Sequence, residues 1–349
     1  MDKKLENVKL IKIVLMLLIV IAHSIIFLNG SWYPYASIEK VNAISYVVDW
    51  LGSFHIFAFT LVSGYLFYFQ KYEISAYPKY SVFIVKKVKR LIIPFLFLSL
   101  FWVIPVNWII DGFNLERFVK ILIGVRSEQL WFLLMLFFVF IIFYPLSDFF
   151  KKKSILGVFI SLACYLVGFI GGILLPDVLQ LFTALKFIPF FFLGFKMRQG
   201  WDEYISKIPF YVYLIIDLLI FGALIFMQTR DEMIFNLMSA GIGFVLNIIG
   251  SIMVWTTIQT IGNHCKWENS KILSFLSDKT FILYLLHHQI IYLVIYLFLG
   301  KVNIYIILIL SLLISLGLSI LLSMLILKFN WSRFLFGEKP KKKLNQKCS

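Results

Sequence analysis

Charge is the commodity this sequence has least of. Only 15% of its 349 residues are Asp, Glu, Lys or Arg, and just 18 are acidic, where soluble domains carry about a quarter charged residues. Set against 61% hydrophobic residues, that scarcity excludes an ordinary soluble protein. Cysteine is sparse too: Cys164, Cys265 and Cys348 build neither a disulfide framework nor a zinc-spaced Cys/His cluster. No G-x-x-x-x-G-K-[ST] loop, Rossmann glycine fingerprint, H-E-x-x-H or G-x-S-x-G occurs. ATP-driven transport, zinc hydrolysis and a serine-hydrolase elbow therefore lose their sequence support. Heptads, fixed-period repeats and signs of inverted-repeat halves are also missing.

What is present is apolar length. Runs of about 20 residues, enough to cross a ~30 Å hydrocarbon core as helix, recur along the chain. They predict an all-α membrane protein of about ten transmembrane helices, over 9–28, 46–70, 88–110, 130–149, 155–175, 181–197, 208–228, 234–262, 280–299 and 302–328. No A-x-A-like site follows the first run near Asn29 to Trp32, which predicts an uncleaved first helix.

Ten crossings place both termini on one side. If that side is cytoplasmic, 26 of the 33 Lys and Arg fall on inside segments and 7 outside (Lys40, Arg117, Lys120, Arg126, Lys186, Arg230 and Lys301), as the positive-inside rule requires. The net charge of +15 is then a topology signal and an attraction to anionic inner-leaflet lipid, not a nucleic-acid signature. The expected organisation is one transmembrane domain over 1–330, a basic cytoplasmic tail over 331–349, and no soluble domain.

Ionisable residues inside the bilayer are the informative ones, since each costs a few kcal/mol there unless paired or facing a polar cavity. His23, His55, His287 and His288 lie in or beside predicted helices. Lys12 precedes His23 by eleven residues, and eleven steps of ~100° bring both to nearly one helical face, roughly 16 Å apart along the axis. One stripe thus joins an inner-surface cation to an imidazole some ~21 Å into the bilayer, able to move protons near neutral pH. The competing reading makes His23 a hydrogen-bonded core residue and Lys12 a marker of the membrane edge.

Lys86, Lys87, Lys89 and Arg90 stand just before the third predicted helix. There a helix N-terminus would add its positive end to a phosphate site, unless the cluster is only an anchor. In the ninth helix Tyr284 and His287 share a face at i, i+3, with His287 only ~10 Å deep and so expected nearer the cytoplasmic mouth than His23. His55 reads as packing, beside the small residues of Ser63-Gly64-Tyr65.

Taken in order, these segments resemble the acyltransferase 3 family of integral membrane acyltransferases over about residues 5–330. Lys12-x10-His23 is similar to the family's Arg or Lys, ten residues, then His. Phe54-His55-Ile56-Phe57 through Ser63-Gly64-Tyr65 resembles its His-x-Pro-Leu-Phe-Phe to Ser-Gly-Tyr block, with Phe57 where proline is usual. Lys87-Val88-Lys89-Arg90 leading to Pro94 resembles Arg-x-x-Arg with lysine first. Leu130-Trp131-Phe132-Leu133 resembles His-Leu-Trp-Phe-Leu with Gln129 in the histidine's place, and Tyr284 to His287 matches Tyr-Leu-x-His.

The resemblance implies transfer of an acyl group, most often acetyl from acetyl-CoA, to a hydroxyl of an extracytoplasmic or lipid-linked glycan at the cell membrane. His23 would be the catalytic base. Lys12, Lys87 and Arg90 would hold the phosphates of acyl-CoA, and Tyr284 with His287 would line the donor path. No metal is implied, and glycan-biosynthesis partners are compatible with it. Lysine for arginine keeps charge but loses the bidentate fork. Two other readings compete: a polysaccharide exporter or flippase whose aromatic residues line a sugar channel, and a non-catalytic partner in a glycan synthase complex.

Overall fold

The computed structural model describes residues 3–30, 32, 35, 40–229, 233–265, 267 and 270–341. Among these residues ten helical segments are long and apolar enough to span a membrane. They are α1 (Lys3–Asn29), α2 (Asn42–Glu73), α3 (Tyr80–Asp111), α4 (Glu128–Lys152), α5 (Ser154–Leu174), α6 (Val178–Ile205), α7 (Phe210–Gln228), α8 (Met238–His264), α9 (Thr280–Phe298) and α10 (Ile304–Ile326). Among the described residues there is no strand. Several helices outrun their apolar stretch: α1 starts at Lys3 and α3 at Tyr80, because a helix satisfies its own backbone and continues past the hydrocarbon boundary into its charged flanks. Of the predicted tail, Asn330–Leu335 is a short helix, and residues 342–349 lie outside the described residues.

Burial separates centre from rim. In α9, 72% of the most apolar stretch is buried inside the protein, against 11% in α7 and 17% in α5. The rim helices therefore turn their leucines and isoleucines outward, as a bilayer permits. The centre is built round α1, which packs on α2, α8, α9 and α10. Its inner end is tied to α8 by a buried polar knot in which Asn7 Nδ2 donates to Gln259 Oε1 (2.9 Å) and Asn263 Oδ1 (3.0 Å), while Trp267 Nε1 donates to Asn7 Oδ1 (2.9 Å).

Without a hydrophobic drive between helices in lipid, close approach depends on small residues. At the α2–α6 crossing the fit is mutual. A Cβ at Gly64 would sit 2.0 Å from the Phe191 carbonyl oxygen, and one at Gly194 would sit 1.8 Å from that of Leu61. Backbone cannot yield as a side-chain tip can, so this contact admits only glycine on either side.

The lysine-rich ends lie together. At one end of the bundle Lys4 pairs with Asp202, Lys71 bonds Ser147 (2.5 Å) and Asp148 (3.2 Å), Arg198 grips Glu73 (2.6 Å), and Arg90 meets Glu338 (2.9 Å). At the other end Arg117 joins Asp111, Asn107 (2.5 Å) and Glu128 (3.3 Å), and Tyr292 donates to Glu128 (3.1 Å). Burial works against the Arg117 charge, but Glu128 and Asp111 raise its pKa above the ordinary arginine value.

Candidate active site

Three cavities adjoin one another from the basic end into the core. The mouth, about 500 Å³, is lined by Lys9, Lys12, Arg90, Lys279 and Arg333, with Asp278 and Glu338 as its acids. Next lies a cavity of about 280 Å³ with Lys12, Lys87 and Arg90 at its base and Phe59, Leu133, Phe281 and Tyr284 along its walls. Lys12, Arg90, Thr280 and Phe281 line both. The third, about 470 Å³, is lined by His23, His55, Gln129, Trp131, Gln180, Thr183, Lys186 and Phe187, and shares Ile56 and Tyr284 with the second. Tyr284 is thus a partition between them, fixed by a hydrogen bond from its hydroxyl to the Gln129 carbonyl.

The basic residues are held in different ways. Arg90 lies 3.8 Å above the Phe281 ring, donates to the Gly337 carbonyl (2.8 Å) and pairs with Glu338 (2.9 Å). The Lys87 ammonium sits 3.5 Å over Phe140 and 5.2 Å over Phe83, an arrangement that stabilises a desolvated cation. Lys279 turns away onto the Phe275 ring (3.4 Å) and carbonyl (3.0 Å). Burial lowers its pKa and Asp278 offsets part of that.

Two expectations about position are corrected here. Arg90 is not at a helix N-terminus, because α3 begins at Tyr80 and the basic residues fall inside it. Lys86 and Lys87 end an α-helical stretch, and Lys89 and Arg90 sit in the π-helical turn that follows, Val88–Ile92. Pro94 has no N–H to offer the Arg90 carbonyl, and π turns of this kind gather at functional sites. Gly337 (φ +68°) fills the freed space, where a Cβ would come within 2.5 Å of that carbonyl oxygen. The cation convergence stands on tertiary packing, without a helix-terminal field.

The second correction concerns depth. His287 is not nearer the mouth than His23, since its Nε2 lies 2.8 Å from His23 Nδ1 and the rings stack at 5.1 Å. Counting residues from each helix start assumed one common starting plane, which packed helices need not share. His287 is fully buried and lines none of the three cavities. Its Nδ1 faces the Leu283 carbonyl at 3.0 Å, which can only accept, so Nδ1 carries the proton and Nε2 does not. His23 Nδ1–H must then donate to that Nε2, leaving His23 Nε2 with a free lone pair. This tautomer assignment follows from the hydrogen-bond chain.

The structure also adds residues that sequence reasoning passed over. His55, read as packing, lines the third cavity, held by Leu51 O at 2.5 Å after the break in α2 at Ser53–Phe54. Gln129 and Lys186 share that cavity. The departure from family pattern at Gln129 was a usable signal, and so was a lysine inside a predicted span. Leu179 and Gln180 both have positive φ (56° and 60°), unusual for residues with a side chain, and Gln180 lines the cavity while donating to Gly124 O at 2.6 Å. Among the described residues no cluster of three or more His, Cys, Asp or Glu has a geometry that could hold a metal ion.

A family model described as an acyltransferase domain, that of the acyltransferase 3 family, matches residues 5–328. No curated protein and no solved structure matches the chain. The matched stretch takes in nearly all of the ten spans, the second and third cavities and the histidine pair, while Arg333 and Glu338 of the mouth lie beyond it. The chain is a multi-pass membrane acyltransferase and belongs to the acyltransferase 3 family.

Proposed function

We propose that the protein moves an acyl group, acetyl in the simplest case, from cytoplasmic acyl-CoA to a hydroxyl of an extracytoplasmic or lipid-linked glycan at the cell membrane. One observation carries this reading: a row of adjoining cavities with lysine and arginine at one end and an imidazole with a free nitrogen at the other. A nucleotide polyanion suits the mouth, where Lys12, Arg90 and Arg333 offer charge-assisted hydrogen bonds. A thioester on a flexible arm suits the narrow, mostly apolar second cavity. A sugar suits the third, where the Phe57, Phe187 and Trp131 rings (Phe57 and Phe187 stacked at 4.8 Å) adjoin the Gln129 and Gln180 amides and the Thr183 hydroxyl.

In this reading His23 Nε2 takes the proton of the acceptor hydroxyl as its oxygen attacks the thioester carbonyl. The carbon–sulfur bond breaks, an oxygen ester forms, and the same nitrogen returns the proton to the departing thiolate. His287 takes no proton; it keeps Nδ1 of His23 engaged so that Nε2 remains the basic atom. Tyr284, shared by both cavities, would have to yield for the acyl group to pass. The same acyl transfer gives an exporter or flippase no part to play, since neither needs a thioester donor.

Reconstitution tests the reading. Detergent-solubilised protein supplied with radiolabelled acetyl-CoA and glycan from its own cell envelope should place label on polymer, released by mild alkali as expected of an oxygen ester. Polymer that stays unlabelled with acetyl, succinyl and longer acyl donors alike would end it. A second outcome follows from Arg90. Its pairing with Glu338 must compete with donor phosphate, so Glu338→Gln should lower the donor KM about two- to fivefold, the size of a partly exposed ion pair. A KM that does not fall separates Glu338 from the donor site.

A further inference from the structure

The mouth and second cavity speak to the donor; the third carries information about the acceptor. Among the described residues twelve line it, and Lys186 is the only lysine, arginine or acid of these. Lysine within a membrane-spanning segment costs a few kcal/mol unless it is paired or faces a polar space. Lys186 belongs to α6, about two turns in from Val178 at its outer end, and among the described residues no carboxylate lies within ion-pair distance of its ammonium. The acid at the head of the same helix is already engaged. Asp177 accepts from Phe182 N (2.8 Å), Thr183 N (2.9 Å) and Thr183 Oγ1 (2.5 Å). Its ammonium lies near Gly172 of α5, where even a Cβ would be in ordinary contact with Nζ at 3.9 Å. The positive charge is therefore held beside the cavity that His23 faces, with no counter-charge among the described residues to neutralise it.

We infer that the acceptor is an acidic sugar, carrying a carboxylate or phosphate that Lys186 recognises while a neighbouring hydroxyl is presented to His23. This rests on the proposed glycan acylation and names its substrate class. The aromatic wall and the Gln129, Gln180 and Thr183 groups orient the ring of any sugar, whereas the ammonium discriminates by charge. Lys186 is thus a specificity residue and takes no part in proton transfer. A lysine that merely reached for the outer lipid headgroups would leave acceptor choice untouched.

The experiment uses full-length protein in detergent, labelled acetyl-CoA, and three soluble tetrasaccharide probes: neutral, uronate-bearing and phosphate-bearing. The expected result is a kcat/KM at least about tenfold higher for one acidic probe than for the neutral one, the factor that ~1.4 kcal/mol of charge recognition corresponds to. The uronate and phosphate arms tell the two acid types apart. In Lys186→Gln the acidic-to-neutral ratio should fall towards one, and Lys186→Arg should restore it, which shows that the cavity still folds. Equal use of acidic and neutral probes by the unmodified protein, or an acidic preference that survives in Lys186→Gln, overturns the inference while acyl transfer to sugar stands. No transfer to any probe, with the envelope glycan also unlabelled, removes both.

Discussion

Replacing His23 with alanine is expected to lower acyl transfer by about a thousandfold or more, within the range that a positioned general base contributes. Protein level and membrane insertion should hold. The ring lines the third cavity and its Nδ1 is committed to His287 at 2.8 Å, which aims its Nε2 lone pair at the acceptor in the proposed reaction. His55 shares the cavity with its Nδ1 likewise engaged, by Leu51 O, but it stands on a different helix and has no second imidazole behind it, so it does not inherit the geometry. Proton NMR of purified polymer from cells making the variant reads the outcome directly. Full acylation would remove His23 from the chemistry and return it to the reading of a hydrogen-bonded core residue.

Arg90→Ala should act at the other end of the row. Loss of a charged hydrogen bond to phosphate is worth about 1.5–3 kcal/mol, so the donor KM should rise roughly ten- to a hundredfold with kcat far less affected, the pattern of lost ground-state binding. Arg90 also holds the Gly337 carbonyl and Glu338, and alanine would free that segment as well. Arg90→Lys separates the two effects, because it keeps a charge for phosphate while losing the planar fork, and its KM should fall between. An unchanged KM in membrane vesicles for Arg90→Ala would take the residue out of the donor site.

Much of the molecule was legible before any coordinates. Apolar runs place all ten spans, with ends misjudged where helices run past the bilayer into lysine, as at Lys3 and Tyr80. Lys12 and His23 share a face on α1, and the structure sets one at the mouth and the other at the third cavity. Lys12, Lys87, Arg90 and Tyr284 meet round the second cavity, although the helix-terminus reason first offered for Arg90 does not hold. His55 and Lys186 escaped notice as site residues for a common reason: periodicity within one helix says nothing about which neighbouring helix closes over it.

By itself the sequence determined the class: an all-α membrane chain, its charge asymmetry, the absence of metal and nucleotide-loop motifs, and the ordered family signatures. Those are local properties, set by hydrogen-bonding helices in lipid and by spacing along one axis. Tertiary structure alone decided that His287 stands behind His23 and outside the three cavities, that Tyr284 partitions two of them, that Glu338 occupies Arg90, and that Lys186 lines the imidazole's cavity. Each joins residues from helices distant in the chain, and the relative height and rotation of packed helices depend on interlocking contacts such as Gly64 on Phe191, which no single-helix pattern encodes.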